Sequence, residues 1–252
     1  MRTPPGPVHL VGGGWAAAAA PAVYGPFLAD AAVAAGGVPT IACLVLDEGD
    51  GDQRFAQWAQ VLPGVAKCRP QPLLMTIGST LDPAALAGAD ALLVSGGLTP
   101  GYADAVAPVA DAIRGWLAHG PRPYLGFSAG AAIAAERAIV GGWRVGEVPV
   151  CPEDAGEDLD QLTAVPGLGL TKWSVDVHCA QWGTLPRLIE TIRTSPPGRG
   201  WGNGLGIDEN TVVSFEPGGG FIVAGLGRAW TVHRGGGRGQ AQITPLPAGS
   251  RI

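Results

Sequence analysis

Tyr124-Leu125-Gly126-Phe127-Ser128-Ala129-Gly130-Ala131-Ala132-Ile133 joins a short apolar run to an alanine-rich helical run through Gly-x-Ser-x-Gly. A strand that turns sharply into a helix at such a pentapeptide lifts its serine off the strand end, where the hydroxyl can meet a base. Gly126 and Gly130 let the backbone bend tightly and the helix pack close. The first N–H groups of the helix have no intrahelical acceptor, so the N–H of Ala129 is a candidate oxyanion donor. An ordinary strand–helix turn with two glycines and a serine cap reads the same way from five residues alone. The rest of the chain has to separate the two.

Working outward, short apolar runs at 8–11, 40–46, 73–77, 91–95 and 124–127 read as strands, and 20–35, 53–61 and 102–118 carry helical spacing, with Pro108 predicting a kink in the last. Strands alternating with helices predict an α/β fold, a mostly parallel sheet flanked by helices. Residues 145–162 hold six carboxylates, Glu147, Glu153, Asp154, Glu157, Asp158 and Asp160, and read as a long loop. After a strand at 173–177, a short helix at 185–193 and a Pro/Gly linker at 196–204, the chain turns β-rich over 205–252. There is no repeat and no domain break, so the expectation is one domain spanning 1–252.

Bulk composition excludes several classes. Apolar residues make up 46% of the 252 positions and charged residues only 15%, with a net charge of −5, so the chain is globular and has no basic stripe for nucleic acid. Lysine occurs only at Lys67 and Lys172. Cys43, Cys68, Cys151 and Cys179 are scattered, without a Cys-x-x-Cys pair or metal spacing, so neither a metal nor a cofactor is expected and a reducing, cytoplasmic setting is. Ala16 to Ala20 superficially resembles a signal segment, but a strand and three glycines precede it and no run reaches transmembrane length, so no membrane partner is expected. The apolar β tail offers a face that a second copy of the chain could cover, a homodimer.

A serine needs a base, and the base needs an orienting group. Of the four histidines, His9 lies inside a strand, His119 at a helix end and His233 in the tail, whereas His178 closes Trp173-Ser174-Val175-Asp176-Val177 at a strand end. His178 is therefore the candidate base. Asp176, two residues earlier on the same strand face, and Glu147, in the acidic loop, are both candidate acids. Ser95-Gly96-Gly97-Leu98 ends the fourth strand at what should be the same sheet edge, which makes the N–H of Gly97 a second oxyanion donor. The acidic residues from Glu153 to Asp160 read as a solvated run or as a seat for a cationic group of the substrate.

These segments resemble a known family. Gly126-Phe127-Ser128-Ala129-Gly130-Ala131, Gly167-Leu168-Gly169-Leu170, Asp176-Val177-His178, Arg187-Leu188 and Gly204-Leu205-Gly206-Ile207-Asp208-Glu209-Asn210-Thr211 resemble, in order, segments of the serine peptidase family of aspartyl dipeptidase (dipeptidase E) and cyanophycinase. The resemblance implies a class I glutamine amidotransferase-like, flavodoxin-like fold and a Ser–His–Glu arrangement acting on a small peptide or isopeptide amide. It places the nucleophile at Ser128, the base at His178, the oxyanion donors at Gly97 and Ala129, and the acid near Glu147, ahead of Asp176. Leu98 stands where the family often has Asn or Asp, Cys179 where an aromatic is expected, and the first loop, Gly12-Gly13-Gly14-Trp15, follows neither named branch. Leu98, Trp15 and Asp176 are the expected substrate-binding positions. Rival expectations are an acyl transferase using the same acyl-enzyme, a non-catalytic binding homologue, and an α/β-hydrolase esterase.

Overall fold

A computed structural model describes residues 6–120, 122–195, 202–216, 219–235 and 240–252. In chain order, β1 (Val8–Val11) leads to α1 (Ala20–Ala35), β2 (Thr40–Asp47), α2 (Gly51–Val65), β3 (Arg69–Thr76) and β4 (Ala91–Val94). Next come α3 (Thr99–Val106) and α4 (Ala110–Ala118), β5 (Tyr124–Phe127), the short α5 (Ala129–Ile133) and β6 (Arg137–Gly141). The acidic stretch holds a small hairpin, β7 (Arg144–Val145) and β8 (Val148–Pro149), and a turn of 3-10 helix at Glu153–Ala155, before β9 (Thr163–Pro166). β10 (Ser174–Val177), α6 (Leu185–Thr194), β11 (Asn203–Ile207), β12 (Thr211–Phe215), β13 (Phe221–Gly225), β14 (Arg228–Arg234) and β15 (Ala241–Pro247) complete the fold.

The seven-stranded sheet runs β13-β12-β1-β5-β4-β2-β3. Its five strands β1, β5, β4, β2 and β3 are parallel, and β12 and β13 extend it antiparallel beyond β1. The architecture is therefore α/β, with a mostly parallel central sheet, flanking helices and a β-rich C-terminal region. β2 shows why: it is buried through Leu46, as a strand covered on both faces must be. Ile41, Cys43 and Val45 point to the side of α1 and α2, while Ala42, Leu44 and Leu46 point to the side of α3, α4 and α5. At the outer edge, β3 carries Pro70 and Pro72, which blunt its pairing.

Several sequence expectations shift in detail. The helix expected over 102–118 starts at Thr99 and breaks at Ala107–Val109, as Pro108 requires. The segment 17–35 is long and apolar enough to cross a bilayer, with a mean hydropathy of 1.3, yet its Val23, Tyr24, Phe27, Leu28 and Ala31 are buried against the sheet. Part of the expected Pro/Gly linker, 196–201, lies outside the described residues.

The larger difference concerns the tail. Its strands divide between two sheets, since β11, β14 and β15 form a second sheet with β10, in the order β10-β11-β14-β15. The strand before His178 therefore belongs to this second sheet and not to the sheet that carries Ser128. Leu10, Leu92, Val175, Val177, Leu205 and Ile207 share one apolar cluster, so the two sheets pack through a common core.

Two approaches fix the turn after β5. A Cβ on Gly126 would lie 2.4 Å from the Gly130 carbonyl oxygen, and one on Gly130 would lie 2.2 Å from that of Val94. Tyr124 Oη donates to the Gly130 carbonyl at 2.7 Å, and Gly130 N–H to that of Ser95 at 3.2 Å. Substituting Gly130→Ala should lower stability by about 2–4 kcal/mol, because backbone has to move. Gly25→Ala, where an added methyl meets nothing within 4 Å on a helix, should be neutral or stabilising. Thermal and denaturant unfolding of the two variants checks the contrast.

Candidate active site

β4 and β5 are parallel neighbours, so their C-terminal ends bring Gly96-Gly97 and Ser128 to one sheet edge. At that edge Ser128 has φ 52° and ψ −112°, a conformation that non-glycine residues rarely hold. Its N–H donates to the Val11 carbonyl at 2.9 Å, and its own carbonyl accepts from Ala131 and Ala132 at 2.8 and 3.1 Å. The backbone is thus held from both sides of the turn while the hydroxyl projects off the strand. Ala129 opens α5, so its N–H has no acceptor within the helix. Gly97 borders the same cavity as Ser128.

His178 arrives from the second sheet. Its N–H donates to the Gly12 carbonyl at 3.1 Å, and its φ of 54° turns the chain out of β10. Nε2 lies 2.8 Å from Ser128 Oγ, and Nδ1 lies 2.8 Å from Oε1 of Glu209. A carboxylate can only accept, so the ring proton belongs on Nδ1 and Nε2 is left to accept from the serine hydroxyl. Burial holds the His178 pKa below its ordinary value, and Arg187 lowers it further, while Glu209 and Asp176 pull it upward. A lowered pKa favours the neutral ring, the form a general base requires.

Ser128 and His178, singled out from sequence, are brought together; Glu147 is not. It sits at the tip of the two-residue turn between β7 and β8, its side chain 94% exposed, with Arg144 at 3.7 Å as its ion partner. A tight hairpin turn points its residues to solvent, so Glu147 does not meet His178. Asp176 is also absent from the relay. Its carboxylate is buried and gripped from two sides by Arg187, Nε at 2.9 Å and Nη2 at 2.7 Å. Arg187 also donates to the Ala155 carbonyl, so the pair anchors the acidic loop.

Glu209 lies inside the Asp208-Glu209-Asn210-Thr211 block, whose other groups build its turn. Asp208 accepts from Ala180 N–H, Arg228 N–H and Trp230 Nε1 at 2.9–3.1 Å. Asn210, with φ 57°, donates its N–H to the Gly13 carbonyl at 2.6 Å and accepts from Ala16 N–H at 2.8 Å. The Gly12-Gly13-Gly14 run is the seat for these pieces: a Cβ on Gly13 would lie 2.0 Å from His178 Cε1, and one on Gly14 2.7 Å from the Asn210 amide. The signal for Glu209 was the densely polar block itself, in which one acid has the turn to hold and the next is left free.

Among the described residues a cavity of about 630 Å³ opens at Ser128, lined by Gly97, Leu98, Trp143, Leu159 and Trp182 and by Glu48, Glu153, Asp154, Glu157, Asp158 and Asp160. Glu48 is paired with Arg54 at 3.3 Å, Asp160 with Arg144 at 2.7 Å, and Glu157 accepts from Thr99 N–H and Oγ1 at 3.0 Å. Burial raises the Glu157 pKa, against the Thr99 bonds. Leu98 lines this cavity. Trp15 does not: it packs on Trp58 and Phe127, ring centroids 4.6 and 4.7 Å away, and borders a separate small cavity. His9 forms a second Ser–His–Asp line, with Ser214 at 2.9 Å and Asp30 at 3.0 Å, but Ser214 lies within a paired strand and borders none of the described cavities.

With this geometry in place, comparison with solved structures finds likenesses of fold, among them the two that follow. A peptidase from an acI-B1 Actinobacterium superposes with a TM-score of 0.65 at 19% identity, covering 99% of this chain and 97% of its own. A candidate peptidase E of Listeria monocytogenes EGD-e superposes with a TM-score of 0.54 at 12% identity, covering 88% of this chain and 99% of its own. No protein-family model matches the chain, and no curated protein matches it by sequence.

The assignment of the acid can be checked without any substrate. Glu209→Gln removes the negative charge beside Nδ1 and should move the His178 titration midpoint to lower pH, whereas Glu147→Gln should leave it in place. Both are read from the His178 Cε1–H resonance across a pH series.

Proposed function

We propose that the protein is a serine-type peptidase or amidohydrolase that cleaves a small peptide or isopeptide amide through an acyl-enzyme. The observation that carries this reading is the continuous line from Ser128 Oγ through His178 to Glu209, with both contacts at 2.8 Å. Ser128 Oγ attacks the carbonyl carbon as His178 Nε2 takes the hydroxyl proton. Glu209 holds the ring tautomer and stabilises the imidazolium that forms. The oxyanion sits against the N–H groups of Gly97 and Ala129, donors commonly worth roughly 3–4 kcal/mol each in the transition state. His178 then protonates the leaving amine, the C–N bond breaks, and water repeats the sequence against the ester to release the acid and regenerate Ser128.

Three features support this reading over a non-catalytic homologue and an esterase. A non-catalytic homologue has no need of a hydroxyl within hydrogen-bond distance of a neutral imidazole. The chain order Ser128, His178, Glu209 differs from the Ser, acid, His order of α/β-hydrolase esterases. The fold likeness to a peptidase and a candidate peptidase E, and the resemblance to dipeptidase E and cyanophycinase, point to an amide substrate.

Fluorophosphonate labelling tests the nucleophile. Ser128→Ala and His178→Ala should abolish labelling and hydrolysis while keeping the circular dichroism of the parent, and Glu209→Gln should cut turnover about ten-thousandfold. Full labelling of the Ser128→Ala variant would overturn the assignment.

The cavity's charge extends the proposal to the substrate. Glu153, Asp154 and Asp158 line it without an ion partner among the described residues, and no basic side chain lines it. Peptides carrying a cationic group next to the scissile amide should therefore exceed their neutral isosteres in kcat/KM by about tenfold at low salt, an advantage that shrinks as ionic strength rises. Asp154→Asn and Asp158→Asn should each reduce it. Equal kcat/KM for cationic, neutral and anionic peptides of one length would contradict this.

A further inference from the structure

The two hydrogen bonds of His178 engage only the ring edge, at Nδ1 and Nε2, and leave its faces to packing. One face of the ring is covered by Trp182, with ring centroids 3.9 Å apart and planes 7° apart. Backbone builds this stack. The Trp182 N–H donates to the His178 carbonyl at 2.8 Å, so the loop leaving β10 turns back on itself and lays the indole on the imidazole. The Gly13 backbone meanwhile closes against Cε1, where no side chain would fit.

Core packing does not account for the indole, which is 44% exposed. It also borders two cavities, the one at Ser128 and a second of about 620 Å³ bordered by Pro152, Asp154, Gln181 and Gly183. We propose that Trp182 is a positioning residue for His178: stacked face to face, it keeps the imidazole in the plane that carries both hydrogen bonds and keeps water off that face. The proposal rests on the reading of Ser128 and His178 as nucleophile and base. The charged groups that act on the imidazole are Glu209, Asp176 and Arg187, and Trp182 contributes cover without charge.

The test uses the full chain with Trp182→Phe, Trp182→Leu and Trp182→Ala, each assayed for hydrolysis and fluorophosphonate labelling across pH. Trp182→Ala and Trp182→Leu should lower kcat about ten- to a hundredfold, the scale expected when a reacting group is misplaced. Because burial depresses the His178 pKa, admitting water should raise it, so the acid limb of the profile should move to higher pH in Trp182→Ala. Trp182→Phe, which keeps a ring, should recover most of the rate. The ring-current displacement of the His178 Cε1–H resonance should vanish in Trp182→Ala and Trp182→Leu and persist in part in Trp182→Phe, a readout that needs no turnover. A rise in KM alone, with kcat and the acid limb unmoved, would overturn the positioning role and reduce Trp182 to a pocket wall. A wild-type protein that fails to label removes the underlying reading, whereas a labelled wild type with unmoved Trp182→Ala and Trp182→Leu variants overturns the role of Trp182 alone.

Discussion

Two backbone hydrogen bonds, His178 N–H to the Gly12 carbonyl and Asn210 N–H to the Gly13 carbonyl, join the second sheet to the end of β1. Everything at the site depends on this seam. β1 pairs directly with β5, so the same strand that receives His178 and Asn210 also receives the Ser128 N–H on the Val11 carbonyl. One strand end thus sets the separation of serine, histidine and glutamate. The approach is too close for side chains, which is why a run of three glycines stands there.

Strain gathers in the same place. Ser128, His178, Asn210, Glu157 and Asp158 are the described non-glycine residues with positive φ. Three hold or flank the relay, and two lie in the acidic wall of the cavity. Each such conformation costs of order 1–3 kcal/mol and persists only where its surroundings over-determine it. Here the surroundings are evident. Tyr124 and Ser95 grip the Gly130 side of the elbow, Gly12 and Trp182 hold the His178 backbone, and Gly13, Ala16 and Leu226 hold Asn210. Those bonds oppose the strain and leave the Ser128 hydroxyl, the His178 ring and the Glu209 carboxylate at fixed separations.

Much of this was legible in the residue order. The apolar runs of β2, β4 and β5 and the helical spacing between them mark a parallel sheet covered on both faces. The Gly-x-Ser-x-Gly turn marks the edge where chemistry can occur, and His178 stands out as the histidine at a strand end. The carboxylate that meets His178 was not legible in the same way. Asp176 shares a strand face with His178 and Glu147 fits a family spacing, yet the first is taken by Arg187 and the second points to solvent from a hairpin tip. Trp15 beside the glycine loop reads as a groove residue, but it packs on Trp58 and Phe127 instead.

By itself, then, the sequence determined the main parallel-sheet elements, the elbow and the histidine at a strand end, because each rests on local periodicity or on what one residue type can do at a turn. Only the tertiary structure decided that the strand carrying His178 lies in a second sheet, that Glu209 completes the line, that Trp182 covers the ring, and that the acidic run lines the Ser128 cavity. Those outcomes depend on contacts between segments tens of residues apart, such as the 31 positions between His178 and Glu209 and the 50 between Ser128 and His178. Spacing along the chain carries no distance across the fold. The glycine seam between the sheets supplies that distance.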